Sequence, residues 1–226
     1  MKTLALAAVF TTAAVATATA QGPRPFRDSW FWGVHGGLAS YTASDPVNPS
    51  ARGTRSFAPQ AGVDWLITRK TGGLYMSFGQ AFVTTTGSVL NGPTSADTGY
   101  RTVDVKDLRR FNLAAMAFPG DFIRLHPYVG AGFAFGYLAA AQAQFSTTDT
   151  QRQVDYAASA VNDVKAGIGP VFIAGAQYRL PLVSTFGQFT ASALSKDFLL
   201  ANGKPIAFAF EFGLRYNIGS SIDRQF

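Results

Sequence analysis

Between Ala207 and Ile218 the chain changes character at every residue. Phe208, Phe210, Phe212, Leu214, Tyr216 and Ile218 fall on one parity. Ala207, Ala209, Glu211, Gly213, Arg215 and Asn217 fall on the other. Successive side chains of a strand point to opposite faces, so this pattern predicts a ribbon with one large apolar face and one small or polar face. The same two-residue period recurs in seven earlier segments: Trp30–Tyr41, Ser56–Thr68, Leu74–Thr84, Val103–Phe118, Pro127–Ala141, Lys165–Tyr178 and Thr185–Leu194. Two positions sit awkwardly in this scheme. Gln80 shares the apolar face of the third segment, which a bulge or a protein-covered spot explains. Pro170 lies inside the sixth, where a central strand does not favour it.

The connections alternate in length. Short links join segments two and three (Arg69 to Gly73), four and five (around Pro119-Gly120-Asp121) and six and seven (Arg179 to Val183). Long links, rich in Ser, Thr, Asn, Asp, Gly and Pro, cover Thr42 to Arg55, Thr85 to Thr102, Gln142 to Val164 and Ser195 to Pro205. Short turns at one end and long loops at the other predict an all-β, eight-stranded antiparallel up-and-down barrel that crosses a membrane, with the short turns periplasmic and the long loops extracellular.

Composition sharpens the choice between two barrels. Charged residues are only 14% of the chain, against a usual share of about 25%, while phenylalanine alone counts 20. A soluble, lipocalin-like barrel would expose Gly130, Gly132, Ala134, Gly136, Gly167 and Gly169 and crowd the aromatic rings inside. An eight-stranded interior has little room for them. Turning the sheet outward puts the large residues against lipid, and the soluble carrier stands as the alternative. No stretch after the N-terminus reaches the about 20 apolar residues of a spanning helix. Residues 1–20 read as a cleaved secretory signal, with Lys2, an apolar run from Leu4 to Phe10 and a small-x-small site at Ala18-Thr19-Ala20. The mature domain is then 21–226. A membrane anchor is the other reading of that segment. The chain has no cysteine, hence no disulfide framework or thiolate metal site. The net charge of +6 suits a surface near anionic head groups. Nucleic-acid binding is not expected, for no recognition motif is present.

The chain resembles the small eight-stranded outer-membrane β-barrel proteins of Gram-negative bacteria over essentially its mature length. The likeness rests on the signal, the eight-segment pattern, His126-Pro127-Tyr128-Val129-Gly130-Ala131-Gly132, and the final strand. There Glu211, Gly213, Tyr216 and Ile218 are similar to the signal read by the barrel assembly machinery, and the chain ends in Phe226. The resemblance implies residence in the cell outer membrane, with membrane lipid, lipopolysaccharide and the assembly machinery as partners.

Parity sends His35, Gln60, Asp64, Arg110, Lys165, Gln177, Glu211 and Arg215 into the lumen. Charges enclosed there must be paired, so the expected role is a plug of ion pairs and hydrogen bonds, with Arg215 holding Glu211. A gated ion path is the sharper alternative. Arg101, Lys106 and Arg109, with Arg110 beside them, cluster at the entry to the fourth segment. They suggest a patch for lipopolysaccharide phosphates or acidic glycans through arginine forks. A lipid A-modifying enzyme is the second functional class. Yet only His35 and His126 are available as bases, and no Gly-x-Ser-x-Gly elbow appears, so no catalytic residue, metal ligand or cofactor site is assigned. The expected role is non-enzymatic: envelope integrity, or surface interaction through the extracellular loops.

Overall fold

The computed structural model describes residues 25–43, 53–70, 72–92, 99–120, 122–180, 183–201 and 204–220. The signal segment and the terminal Phe226 lie outside them. Eight antiparallel strands close into one barrel in chain order: β1 (Ser29–Ala43), β2 (Thr54–Thr68), β3 (Gly72–Leu90), β4 (Tyr100–Ala117), β5 (Leu125–Ala143), β6 (Ala166–Arg179), β7 (Val183–Ala193) and β8 (Ile206–Ser220). Each expected segment is a strand. The β1–β8 ladder, Trp32↔Tyr216 to Ala39↔Ala209, seals the wall and leaves no free edge there.

The large residues face outward. Phe212 is 66% exposed, Phe133 64% and Ile168 64%, and Trp30, Trp32, Phe78, Phe111 and Phe210 are exposed with them. This overturns the soluble-carrier alternative, whose rings would fill the cavity. Phe208 to Ile218 spans ten residue steps of β8, about 33 Å along the strand at about 3.3 Å per residue. Tilted by about 40°, that is close to the about 25 Å apolar band of a membrane barrel.

Two long links contain more structure than their composition suggests. Most of the described residues of Thr85 to Thr102 are strand: β3 and β4 stay paired from Thr84↔Lys106 to Leu90↔Tyr100. Within Gln142 to Val164 lies a helix, α1 (Gln151–Val164). Its start is a capping box, with Thr150 accepting from Gln153 N and the Gln153 side chain accepting from Thr150 N. The T-x-x-Q pattern and the spacing of Val154, Ala157 and Val161 were legible signals for it. Lys165 is consequently not a lumen residue. It caps the C-terminus of α1, is exposed, and donates to Asn162 Oδ1 at 2.6 Å; β6 begins one residue later.

The anomaly at Gln80 has a local cause. Between Ala81↔Leu108 and Thr84↔Lys106 the register slips, so that Phe82 and Val83 lie opposite Asp107, whose φ of 52° is left-handed. At this bulge β4 changes parity. Below it Phe111 and Leu113 face out; above it Val103 and Val105 are fully buried while Asp104 and Lys106 are exposed. Just below the bulge, Gln80, Arg109 and Tyr137 form one outward rung. Arg109 donates to Gln80 Oε1 (3.1 Å) and the Tyr137 hydroxyl (3.1 Å), and Gln80 donates to Asp107 Oδ2 (3.2 Å). The rung beneath it is Phe78↔Phe111↔Phe135, so polar and apolar exteriors meet at this line. Pro170 sits opposite Phe133 on β5, and the β6–β7 ladder starts one residue later at Val171↔Ser192.

Candidate functional site

The interior is stacked in three levels. At the end of the short turns, the residues before β1 fold back beneath the barrel. Thr68 Oγ1 donates to Phe26 O at 2.5 Å and Ser29 Oγ to Pro25 O at 2.6 Å. The Phe26 ring stacks on His126 (centroids 4.0 Å apart, planes at 3°) and meets Phe118 edge-on at 5.1 Å. His126 thus packs as part of a floor.

The middle level is polar, and it is built on alternation of size across β2, β1 and β8. Asp64, Gly33 and Arg215 share a rung; two residues along, Gly62, His35 and Gly213 share another; then come Gln60, Gly37 and Glu211. Each polar pair on β2 and β8 spans a bare glycine of β1, and His35 has a glycine on both sides. A Cβ on Gly33 would lie 2.3 Å from Asp64 Oδ1 and 2.7 Å from Arg215 Cγ. One on Gly62 would lie 2.6 Å from His35 Nε2.

Arg215 does not hold Glu211. Residues i and i+4 of a strand are about 13 Å apart along it, beyond side-chain reach in this geometry. Arg215 Nε instead donates to Asp64 Oδ2 at 2.6 Å, and Nη1 to Gln177 Oε1 at 3.1 Å. Its guanidinium also lies 3.7 Å from the Phe186 ring centroid. Glu211 accepts from Gln60 Nε2 (3.0 Å), Gln188 Nε2 (2.6 Å) and Thr190 Oγ1 (3.2 Å). His35 lies between the acids, 3.9 Å from Asp64 and 3.8 Å from Glu211. Gln188 ties the halves together: its Nε2 donates to Tyr75 as well as Glu211, and its Oε1 accepts from Tyr128. Gln188, Thr190, Tyr75 and Tyr128 were not among the expected site residues, although parity pointed all four inward. Of the eight expected lumen residues, Asp64, Gln177 and Arg215 form one cluster, Gln60, His35 and Glu211 adjoin it, Arg110 lies apart toward the outer end, and Lys165 is elsewhere.

The outer level is apolar. Val83, Val103, Val105, Leu108, Leu138, Val161 of α1 and the run Phe198 to Ala201 pack together. Backbone bonds fix that run: Thr42 N donates to Leu200 O at 2.8 Å and Leu199 N to Val164 O at 3.0 Å.

The basic cluster expected at the outer surface separates. Arg101 is buried on the inner face, donates twice to Asn91 Oδ1 and twice to the Asp149 carboxylate, and also reaches Gln144 O. Its guanidinium and the Ser146 amide hold the Asp149 carboxyl down, at about 2. Arg109 is committed to the outward rung, and Lys106 is exposed on the outer face. The bulge at Asp107, invisible to simple alternation, puts Arg101 and Arg109 on opposite faces although they share a parity. Of the assembly-signal positions, Tyr216 and Ile218 face outward while Glu211 and Gly213 face the lumen.

No protein-family model matches the chain, and no curated protein matches it. Solved structures do. Neisserial surface protein A is similar at 12% identity and a TM-score of 0.49, covering 84% of this chain and 96% of that one. The N-terminal β-barrel domain of Pseudomonas aeruginosa OprF is similar at 13% identity and a TM-score of 0.42, covering 88% and 100%. The attachment invasion locus protein Ail of Yersinia pestis is similar at 13% identity and a TM-score of 0.42, covering 84% and 99%.

Proposed function

We propose that this chain is a non-enzymatic barrel of the bacterial outer membrane. Its lumen is closed, and it acts through its rigid outer extension rather than by transport. The observation that carries this reading is the filling of the interior at three depths: the Phe26–His126 floor, the Arg215–Asp64 and Glu211 network, and the aliphatic seal under α1. A narrow barrel filled at all three has no continuous aqueous path. What projects outward is an ordered sheet of β3, β4 and β5 backed by α1 and clamped by Arg101 and Asp149. Such a preformed surface suits contact with other molecules at the cell exterior, because little ordering cost remains for binding. The groups facing His35 are two carboxylates and the Phe186 ring, a packing environment rather than a base poised on a nucleophile.

The test is planar-bilayer recording of the purified protein, with cell fractionation alongside. The expected result is recovery in the outer-membrane fraction and a flat current trace. Reproducible single-channel steps from the wild-type protein would overturn the closed-lumen reading. A change in lipid A mass on expression would overturn the non-enzymatic one.

A further inference from the structure

The tip of the outer extension holds an open cavity of about 330 Å³. It lies where β3 ends, β4 begins and β5 ends. Backbone bonds fix its rim: Asn91 N donates to Gly99 O and Gln144 N to Thr102 O, each at 2.9 Å. A space of that size falls at the lower end of small-ligand sites, about 300–1,000 Å³. A rim set before any ligand arrives leaves little ordering cost.

Two aromatic rings line the cavity, Tyr100 and Phe145, and they are 50% and 49% exposed. Both lie well beyond the Gln80–Arg109–Tyr137 rung where the apolar exterior ends, so hydrocarbon does not cover them. Arg101 backs the Phe145 ring, its guanidinium carbon 5.1 Å from the ring centroid, which leaves the opposite face for a ligand. The uncharged polar side chains of the lining keep part of their bonding capacity. Asn91 accepts from Arg101 through Oδ1 and retains Nδ2 as a donor. Gln144 donates from Nε2 to Asp104 and retains Oε1 as an acceptor. The Thr102 hydroxyl makes no hydrogen bond among the described residues.

Arg101, the charged member of the lining, is fully committed. A guanidinium has five N–H donors, and Arg101 makes five hydrogen bonds: two to Asn91 Oδ1, two to the Asp149 carboxylate and one to Gln144 O. It has its countercharge and no donor left for an incoming anion.

We propose that this cavity binds an uncharged saccharide of one or two sugar rings. A pyranose has a face of C–H bonds that packs on the electron-rich face of an aromatic ring. It also has a fringe of hydroxyls, each able to donate and to accept. That fringe matches Asn91 Nδ2, Gln144 Oε1 and the Thr102 hydroxyl. A phosphate, sulfate or carboxylate finds no donor on Arg101, and a purely apolar ligand would strand the polar groups. The inference rests on the outer extension being a contact surface, and it gives that surface a ligand class.

The experiment uses the whole protein in phosphatidylcholine nanodiscs whose scaffold carries the fluorophore, with empty nanodiscs as the blank. They are laid over an array of uncharged oligosaccharides of glucose, galactose, mannose, fucose and N-acetylhexosamines, printed beside sialylated and sulfated ones. The strongest uncharged binder is then titrated in solution. Wild type is compared with Tyr100→Ala and with Phe145→Leu, which keeps apolar bulk but loses the ring face. Lys106→Ala, on the outer face and outside the cavity, is the control. Heat-modifiable gel mobility checks that each is folded, and either ring variant serves alone if the other is not. The expected result is saturable binding of uncharged oligosaccharides, weakened about tenfold in the ring variants and unchanged in Lys106→Ala. Binding to no uncharged oligosaccharide, binding confined to sialylated or sulfated ones, full affinity in the folded ring variants, or an equal loss in Lys106→Ala overturns the proposal. An array without uncharged binders beside a flat bilayer current removes the saccharide site and leaves the closed-lumen reading standing.

Discussion

Asp64 and Arg215 meet across a strand that neither belongs to. They sit on β2 and β8, on either side of Gly33 of β1, and close a 2.6 Å ion pair over its bare backbone. Both side chains are fully buried, and the pair is shielded from solvent at the centre of the barrel.

Arg215→Met therefore strands Asp64, while Glu211 keeps its three donors. Removing one partner of a buried pair costs about 3–5 kcal/mol. The expected outcome is that loss in denaturant unfolding, with much of it recovered when Asp64→Leu is added. A single variant as stable as wild type would show that the pair does not hold the barrel together.

Gly33→Ala tests the space beneath the pair. The added methyl meets Asp64 Oδ1 and Arg215 Cγ well inside contact distance, and overpacking of this kind costs about 1–3 kcal/mol. Gly187→Ala is the control, because a Cβ there meets nothing within 4 Å. The unfolding midpoint should fall for the first variant and stay within error for the second.

Lipid contact is tested at Phe212, near mid-belt on the outer face. Phe212→Arg should cost about 2–4 kcal/mol in phospholipid vesicles, and Ile218→Arg at the belt's edge only about 0–1. Equal small effects at the two depths, measured by unfolding in vesicles, would contradict the lipid-facing assignment.

The Arg101–Asp149 clamp carries a pH signature. The Asp149 carboxyl is held at about 2, below its ordinary 3.8, chiefly by the Arg101 hydrogen bonds. A carboxyl lowered in the folded state contributes stability above its unfolded pKa and loses it as pH falls through the folded one. Protection factors of the amides around Arg101 and Ser146, corrected for the intrinsic exchange rate at each pH, should thus be unchanged down to about pH 4 and fall between about 4 and 2. Asp149→Asn should exchange faster throughout and lack that transition.

The barrel was legible because lipid and lumen impose opposite demands on alternate residues, and that contrast is written along each strand from Trp30 to Ile218. Inward placement followed from the same rule for His35, Gln60, Asp64, Arg110, Gln177, Glu211 and Arg215. Partnership did not. Which acid meets Arg215 depends on how β8 registers against β1 and β2, and alternation within a strand is silent on register between strands. Lys165 was misplaced because the helix before it ends there, and alternation cannot mark such a boundary. The basic cluster came apart for a third reason: one left-handed residue, Asp107, reversed the faces of the strand halfway along.

That reversal works as a depth gauge. Below Asp107 the barrel is greasy outside; above it the extension of β3, β4 and β5 is greasy inside and hydrophilic outside, with the Gln80–Arg109–Tyr137 rung at the changeover. Sinking would drag Lys106 and Asp104 into hydrocarbon, and rising would lift Phe78, Phe111 and Phe135 into water. The molecule is therefore pinned at one height in the bilayer by a single kink in its backbone, and whatever its outer shelf touches is met at a fixed distance above the lipid.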